Sequence, residues 1–181
     1  IFQTLLKLKI PTLIFINKVD RTGVCLEELY TDIREQLTSD IVIMQTLDGM
    51  ASNDILISDY ASLSDTATEK LLDLDESLAK KFILNQPIAE KEYNTSFLFN
   101  IASCKLFPVF HGVALRNIGT EQLLNAITSY LPVNAATDQG DLCAFVYKID
   151  RDEQMHKRAF ARVFGGSLEI RDTVAVEGCE E

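Results

Sequence analysis

No Gly-x-x-x-x-Gly-Lys-[Ser/Thr] segment occurs in the 181 residues, so nothing in this chain cradles phosphates by the usual loop. Gly-x-Gly-x-x-Gly is also missing, which removes an adenine- or dinucleotide-binding α/β enzyme built on a glycine-rich turn. Cysteine is sparse. Cys25, Cys104, Cys143 and Cys179 are dispersed without a Cys-x-x-Cys spacing, which argues against a zinc site and for reduced, mostly packed thiols in a cytosolic protein. His111 and His156 stand far apart in sequence and suggest no ligand set, so no metal is expected to be held here. No apolar run reaches the length of a membrane span, and no positively charged signal region opens the chain; no membrane partner is expected. Positive charge is in short supply too: 17 Lys and Arg face 27 Asp and Glu, a net charge of −10. An acidic surface gains nothing from general attraction to phosphate, so tight binding of nucleic acid by this chain alone is not expected. Lys157, Arg158 and Arg162, beside Arg151, form the one basic cluster and read first as solvated strand charges.

What is present is a core and a motif. At 47% hydrophobic residues the chain has enough apolar material for one domain and part of another. The run Leu13-Ile14-Phe15-Ile16, preceded by Pro11, is short, β-branched and aromatic, and reads as a buried parallel strand. Asn17-Lys18-Val19-Asp20 follows it directly, and in open α/β sheets ligands bind beyond the carboxyl ends of the strands. An Asn-Lys-x-Asp at that place suits the reading of guanine. The Asp20 carboxylate can accept from the ring N–H and the exocyclic amine; adenine offers no such donor pair, and leaving the carboxylate unpaired is costly. Asn17 can hold the base edge or brace the neighbouring loop, and the aliphatic stem of Lys18 can cover one face of the ring.

Phe107-Pro-Val-Phe-His-Gly112 is a second apolar strand, leading into Val113-Ala114-Leu115 and then a helix opening near Gly119-Thr120-Glu121. Taken alone this is most simply a strand-to-helix connection; paired with Asn17–Asp20, its Ala114 N–H can reach the guanine carbonyl oxygen, Gly112 permits a tight turn, and Leu115 can cover the base face opposite Lys18. His111 reads as a structural neighbour of that loop. The competing reading is a non-enzymatic interaction module with a degenerate nucleotide fold, in which Asn17 and Asp20 merely cap and brace a loop.

The segments Ile10–Arg21 and Leu106–Gly119 resemble the fourth and fifth nucleotide-binding motifs of translational GTPases of the elongation factor G type. Within that superfamily, Tyr30–Gln45, Leu142–Asp150 and Arg171–Val174 most resemble ribosomal-protection tetracycline-resistance proteins, while 47–95 match loosely. The resemblance implies a GTP- or GDP-binding GTPase that works on the ribosome through small-subunit RNA, is cytoplasmic, requires Mg2+ and confers tetracycline resistance. An elongation factor G-type translocation factor is the alternative. Guanine-site residues implied here are Asn17, Lys18, Asp20, Val113, Ala114 and Leu115. The fifth motif departs from the family's Ser-Ala-Lys: Val113 lacks the hydroxyl that helps fix the loop, and Leu115 replaces a lysine stem. The chain starts at Ile1 within an apolar helix and ends at Gly178-Cys-Glu-Glu181, so it is expected to be a fragment. The phosphate loop, switch regions and magnesium ligands are expected upstream, with no catalytic residue here and no hydrolysis by the fragment alone.

The fold class expected is α/β: residues 1–133 as the C-terminal part of a P-loop GTPase domain, a parallel sheet with helices and an inserted subdomain at about 45–104, then 134–181 as the incomplete start of a β-barrel. Periodicity places helices at 1–9, 26–38, 66–85, 87–104 and 120–131, the third and fourth divided at Gln86-Pro87. Strands are expected at 12–16, 41–44, 107–112, 142–150, 157–165 and 168–177, a loop with little regular structure at 48–65, and a linker at 132–140.

Overall fold

The computed structural model describes residues 1–49, 55–60, 63–132 and 140–174. The chain divides into two compact units, Ile1–Pro132 and Val133–Glu181.

The first unit is organised around strand β5 (Phe107–Gly112), which lies between β1 (Ile14–Asn17) and β2 (Ile41–Ile43) in a parallel sheet of order β1-β5-β2. Ile14 to Asn17 pair with Val109 to Gly112, and Ile41 to Ile43 with Phe107 to Val109. Every residue of β5 is buried, as a strand covered on both faces requires. Its side chains alternate between two cores. Phe107 and Val109 join Val19, Leu26, Tyr30, Ile41 and Val113, against helices α1 (Phe2–Lys7) and α2 (Leu26–Gln36). Phe110 stacks on Tyr130 of α6 (Thr120–Tyr130). Tyr130 in turn meets Phe97 of the second core, formed with Val42, Ala67, Leu71, Leu78, Ile101 and Leu106.

Several expectations change. The passage expected to be a loop, 48–65, carries the end of one strand and the whole of the next in an antiparallel hairpin, β3 (Gln45–Asp48) with β4 (Leu56–Asp59). Its polar residues hid it: Gln45, the most buried of them, pairs with Asp59 by a side-chain hydrogen bond rather than by apolar packing. The helical stretch of 66–104 divides into three, α3 (Asp65–Leu74), α4 (Glu76–Ile83) and α5 (Glu90–Ala102). Asp75 makes the extra break. Its Oδ1 accepts from the Ser77 and Leu78 N–H groups, capping α4, and its Oδ2 accepts from the Ser96 hydroxyl of α5 at 2.7 Å. Those bonds, the one from Ser96 foremost, hold the Asp75 carboxyl below the usual carboxylate range. The thiols are also less packed than expected: Cys25 and Cys143 are exposed and Cys104 half-buried. Cys179 lies outside the described residues.

In the second unit β6 (Cys143–Arg151) and β7 (Lys157–Gly165) form one antiparallel hairpin. The strand expected at 168–177 does not form over 168–174, and 175–177 lie outside the described residues. Leu168-Glu169-Ile170 alternates like a strand, yet the Asp172 carboxylate accepts from the Glu169 N–H and folds the segment into a turn. The linker expectation falls mostly on 133–139, outside the described residues.

Candidate functional site

Two loops leave the carboxyl ends of the neighbouring parallel strands β1 and β5, and they are stitched together. Asn17 lies opposite Gly112 in the ladder. The Asn17 Oδ1 accepts from its successor's N–H, that of Lys18, at 2.9 Å and from the Ala114 N–H at 3.0 Å, across 97 positions of sequence. The Val19 N–H donates to the Gly112 carbonyl, and the Val19 side chain is fully buried beneath the loop. Lys18 turns the corner in the left-handed region, φ 66°, and stays exposed. Asp20 is half-buried, with Arg116 Nη1 4.0 Å from its Oδ2.

The second loop is a short 3-10 turn, Ala114–Arg116. Val113 is buried, so its side chain belongs to the framework and not to the surface of the crevice. Its backbone braces the loop: the Val113 N–H donates to the Ile118 carbonyl at 2.9 Å, and the Ile118 N–H returns a bond at 3.2 Å. Leu115 is 97% exposed, an apolar side chain held out with nothing covering it. The Ala114 N–H, expected to face a base carbonyl, is donated to Asn17 instead. Gly112 serves close approach, where the sequence suggested a turn. A Cβ there would sit 2.4 Å from the Ile118 carbonyl oxygen and 2.5 Å from the Phe15 ring.

His111 lies directly beneath. It is fully buried, its Nε2 is 2.7 Å from the Tyr30 hydroxyl, and its Nδ1 has no partner among the described residues. Burial lowers its pKa to about 4 and pushes the Tyr30 hydroxyl up to about 12, so both are neutral. His111 is therefore a structural neighbour of the loop, as its sequence position suggests. Sequence reasoning missed Arg116, whose signal was a cation directly after Leu115, and Gln45, which carried no signal.

The two joined loops carry an acceptor carboxylate at Asp20, a side-chain amide at Asn17, an exposed lysine at Lys18 and an exposed leucine at Leu115. That set can hold a flat, hydrogen-bonding ring. A separate cleft of about 380 Å³, lined by Met44, Tyr60, Phe97 and Tyr130 among others, contains none of the motif residues. Among the described residues no group of three or more His, Cys, Asp or Glu lies together. No helix among them is long and apolar enough to cross a membrane.

On the hairpin, cross-strand pairing puts Phe145, Lys148, Asp150, Arg158, Phe160 and Arg162 on one face, with Ala144, Val146, Ile149, Ala159, Ala161 and Val163 on the other. The basic cluster is thereby divided: Arg158 and Arg162 stand among aromatic rings, while Arg151 and Lys157 pair on the opposite face near the tip. Lys148 Nζ lies 5.1 Å from the centre of the Phe160 ring.

Comparison with known proteins finds relatives along the whole chain. The chain is 31% identical over all its 181 residues to tetracycline resistance protein TetW of Butyrivibrio fibrisolvens, and spans 28% of that protein. It is 32% identical over 99% of its length to TetP of Clostridium perfringens, again spanning 28% of the relative. TetM from transposon Tn5251 of Streptococcus pneumoniae is 32% identical over the whole chain, 28% of that relative. A crystal structure of a Thermus thermophilus protein shares the fold, with a TM-score of 0.66 at 20% identity over 88% of this chain and 28% of that one. The sequence model of the elongation factor Tu GTP binding domain matches residues 1–133, the stretch that carries both loops of the crevice. The chain belongs to that family of GTP-binding domains.

Proposed function

We propose that this chain reads the guanine base of GTP and GDP for a ribosome-dependent GTPase that confers tetracycline resistance by protecting the ribosome. One observation carries the proposal: in a member of a GTP-binding family, the loop of Asn17 and Asp20 and the loop of Ala114 and Leu115 leave the ends of paired parallel strands and are joined by the Asn17–Ala114 hydrogen bond. Guanine enters between the Lys18 stem and Leu115, covering apolar surface that is otherwise wet. Asp20 turns from Arg116 to accept from the ring N–H and exocyclic amine. Asn17 releases the Ala114 N–H, which passes to the guanine carbonyl. Val113 keeps the turn in shape through its bridge to Ile118.

In this reading 1–133 is the C-terminal part of the GTP-binding domain, with its insertion at about 45–104, and 134–181 supplies the first strands of a β-barrel. The relatives' names support tetracycline resistance as the role. Phosphate positioning and magnesium supply most of the catalysis in this reaction class, so these residues alone bind the base without turnover. The hairpin face that interleaves Lys148, Arg158 and Arg162 with Phe145 and Phe160 is suited to an RNA backbone and unstacked bases, and small-subunit RNA is its partner in this reading. The working place is the cytoplasm.

The test is a change of base in the protein at its natural full length. Asp20→Asn presents a donor amine to donors on guanine, at a cost of about 2–4 kcal/mol in a desolvated site. GTP binding should weaken by roughly a hundredfold while xanthosine triphosphate, which has a carbonyl where guanine has its amine, gains affinity. Ile16→Val is the packing control. Unchanged GTP affinity in Asp20→Asn would make the motif a structural loop and end the reading.

A further inference from the structure

Strand β2 stops at Ile43 while β5 continues toward the crevice. The last ladder bond on that side is from the Met44 N–H to the Val109 carbonyl. The next β5 donor facing the same way, the His111 N–H, would be an orphan in the core. A side chain takes the place of the missing strand: Gln45 Oε1 accepts from the His111 N–H at 2.8 Å. Gln45 is 1% exposed, and its own amide donates to Asp59 Oδ1 at 2.9 Å across the β3–β4 pair. By hydrogen bonding the hairpin is thus fastened to β5 through one residue of that strand, beside the packing of Leu47, Ile55 and Ile57 on the core that holds Phe107 and Val109.

That residue is His111, and it is held at several points. Its ring meets the Tyr30 hydroxyl of α2, and its carbonyl faces Gly119 so closely that a Cβ there would come within 2.2 Å of the oxygen. Gly112, Val113 and Ala114 follow directly. The nitrogen that Gln45 secures is therefore close along the chain to the loop nitrogen that the base would use, while Gln45 itself lies in the core behind the crevice.

We propose that Gln45 is a positioning residue for guanine recognition, linking the inserted β3–β4 hairpin to the Gly112–Ala114 loop through the His111 backbone. The inference rests on the guanine reading for its consequence and on Gln45, Asp59 and His111 for its mechanism. A shift of the hairpin releases the His111 N–H, loosens the end of β5 and speeds nucleotide release. Whatever binds the hairpin can thereby set the lifetime of the bound nucleotide.

The experiment uses the full-length protein and three variants. Gln45→Leu fills the volume and leaves the His111 N–H unpaired. Gln45→Glu keeps the acceptor and sets two carboxylates side by side. Gln45→Glu combined with Asp59→Asn restores both bonds with donor and acceptor exchanged on the hairpin. Release of fluorescent GDP should accelerate about tenfold in each single variant and return to within about threefold of wild type in the double variant, with kcat at saturating GTP unchanged. Amide exchange at Ala114 without nucleotide should follow the same order, and it reports on the loop whether or not guanine is the ligand. Single variants that release GDP and exchange Ala114 as the wild type does would overturn the proposal, as would a double variant no better than either single one. A wild type that binds no guanine nucleotide while the exchange order holds would overturn the guanine reading and keep the link from Gln45 to the loop.

Discussion

Strands β5 and β7 use similar apolar residues and live in opposite surroundings. Phe-Pro-Val-Phe-His-Gly of β5 is buried throughout, clasped by parallel partners on both sides. Lys-Arg-Ala-Phe-Ala-Arg-Val-Phe-Gly of β7 has one partner strand among the described residues and is exposed at all but two positions. In the first, side-chain packing fixes the strand and leaves the loop beyond it free to carry chemistry. In the second, the backbone ladder is the principal tie, and rings such as Phe145 and Phe164 remain 65% and 57% exposed. A two-stranded ribbon is marginal by itself in water. The hairpin's chemistry therefore resides on its faces, and that of the sheet at its end.

The sharpest way to break this contrast is to truncate one ring in each. Phe107→Ala removes a buried ring packed edge-on against Phe2 and should cost about 3–5 kcal/mol in urea unfolding, whereas Phe145→Ala should stay within about 0.5 kcal/mol. Equal losses would mean that the hairpin is packed as β5 is.

Acid probes the buried strand next. With a folded pKa of about 4, against an ordinary value of 6.5, His111 binds fewer protons in the folded than in the unfolded state between those pH values. Stability is thus full above pH 6.5 and falls as pH drops toward 4, by about 3 kcal/mol in all. His111→Gln should flatten that window in denaturant titrations run at several pH values. A profile identical to wild type would place the acid-sensitive group elsewhere.

The smallest effect belongs to the hairpin. Lys148→Met removes the cation above Phe160 and its pair with Asp150, 3.4 Å away, and should cost about 0.5–1 kcal/mol at low salt and less at high salt. A loss that salt does not diminish would count against a surface electrostatic contact.

The parts that were legible in the sequence are those where apolar pattern and turn chemistry agree. Ile14–Asn17 and Phe107–Gly112 are apolar runs that end in polar residues, and both loops of the crevice follow from that alone. The hairpin at 45–59 was not legible, because its anchoring pair is Gln45 with Asp59 and its strands carry no clean alternation. Nor was the break at Asp75, where one carboxylate satisfies helix N–H groups and a distant hydroxyl together. Periodicity reports on apolar faces; it is silent about buried polar bonds, and here those bonds decide where elements end. Arg116 fell between the two, visible as a residue yet placed opposite Asp20 only by the left-handed residue Asn117 and the bridge from Val113 to Ile118.

Lys18 sits at a backbone angle that glycine or asparagine would accept more easily, and a side chain with a Cβ there costs on the order of 1–2 kcal/mol. Folding alone gives no reason to retain a lysine at that position. Under selection for stability only, drift would carry the codon toward a residue at ease in the left-handed region. On the guanine reading proposed above, the lysine is therefore a sensitive historical marker: in a gene copy released from nucleotide binding, position 18 is where decay should be recorded early, before the apolar strand behind it changes.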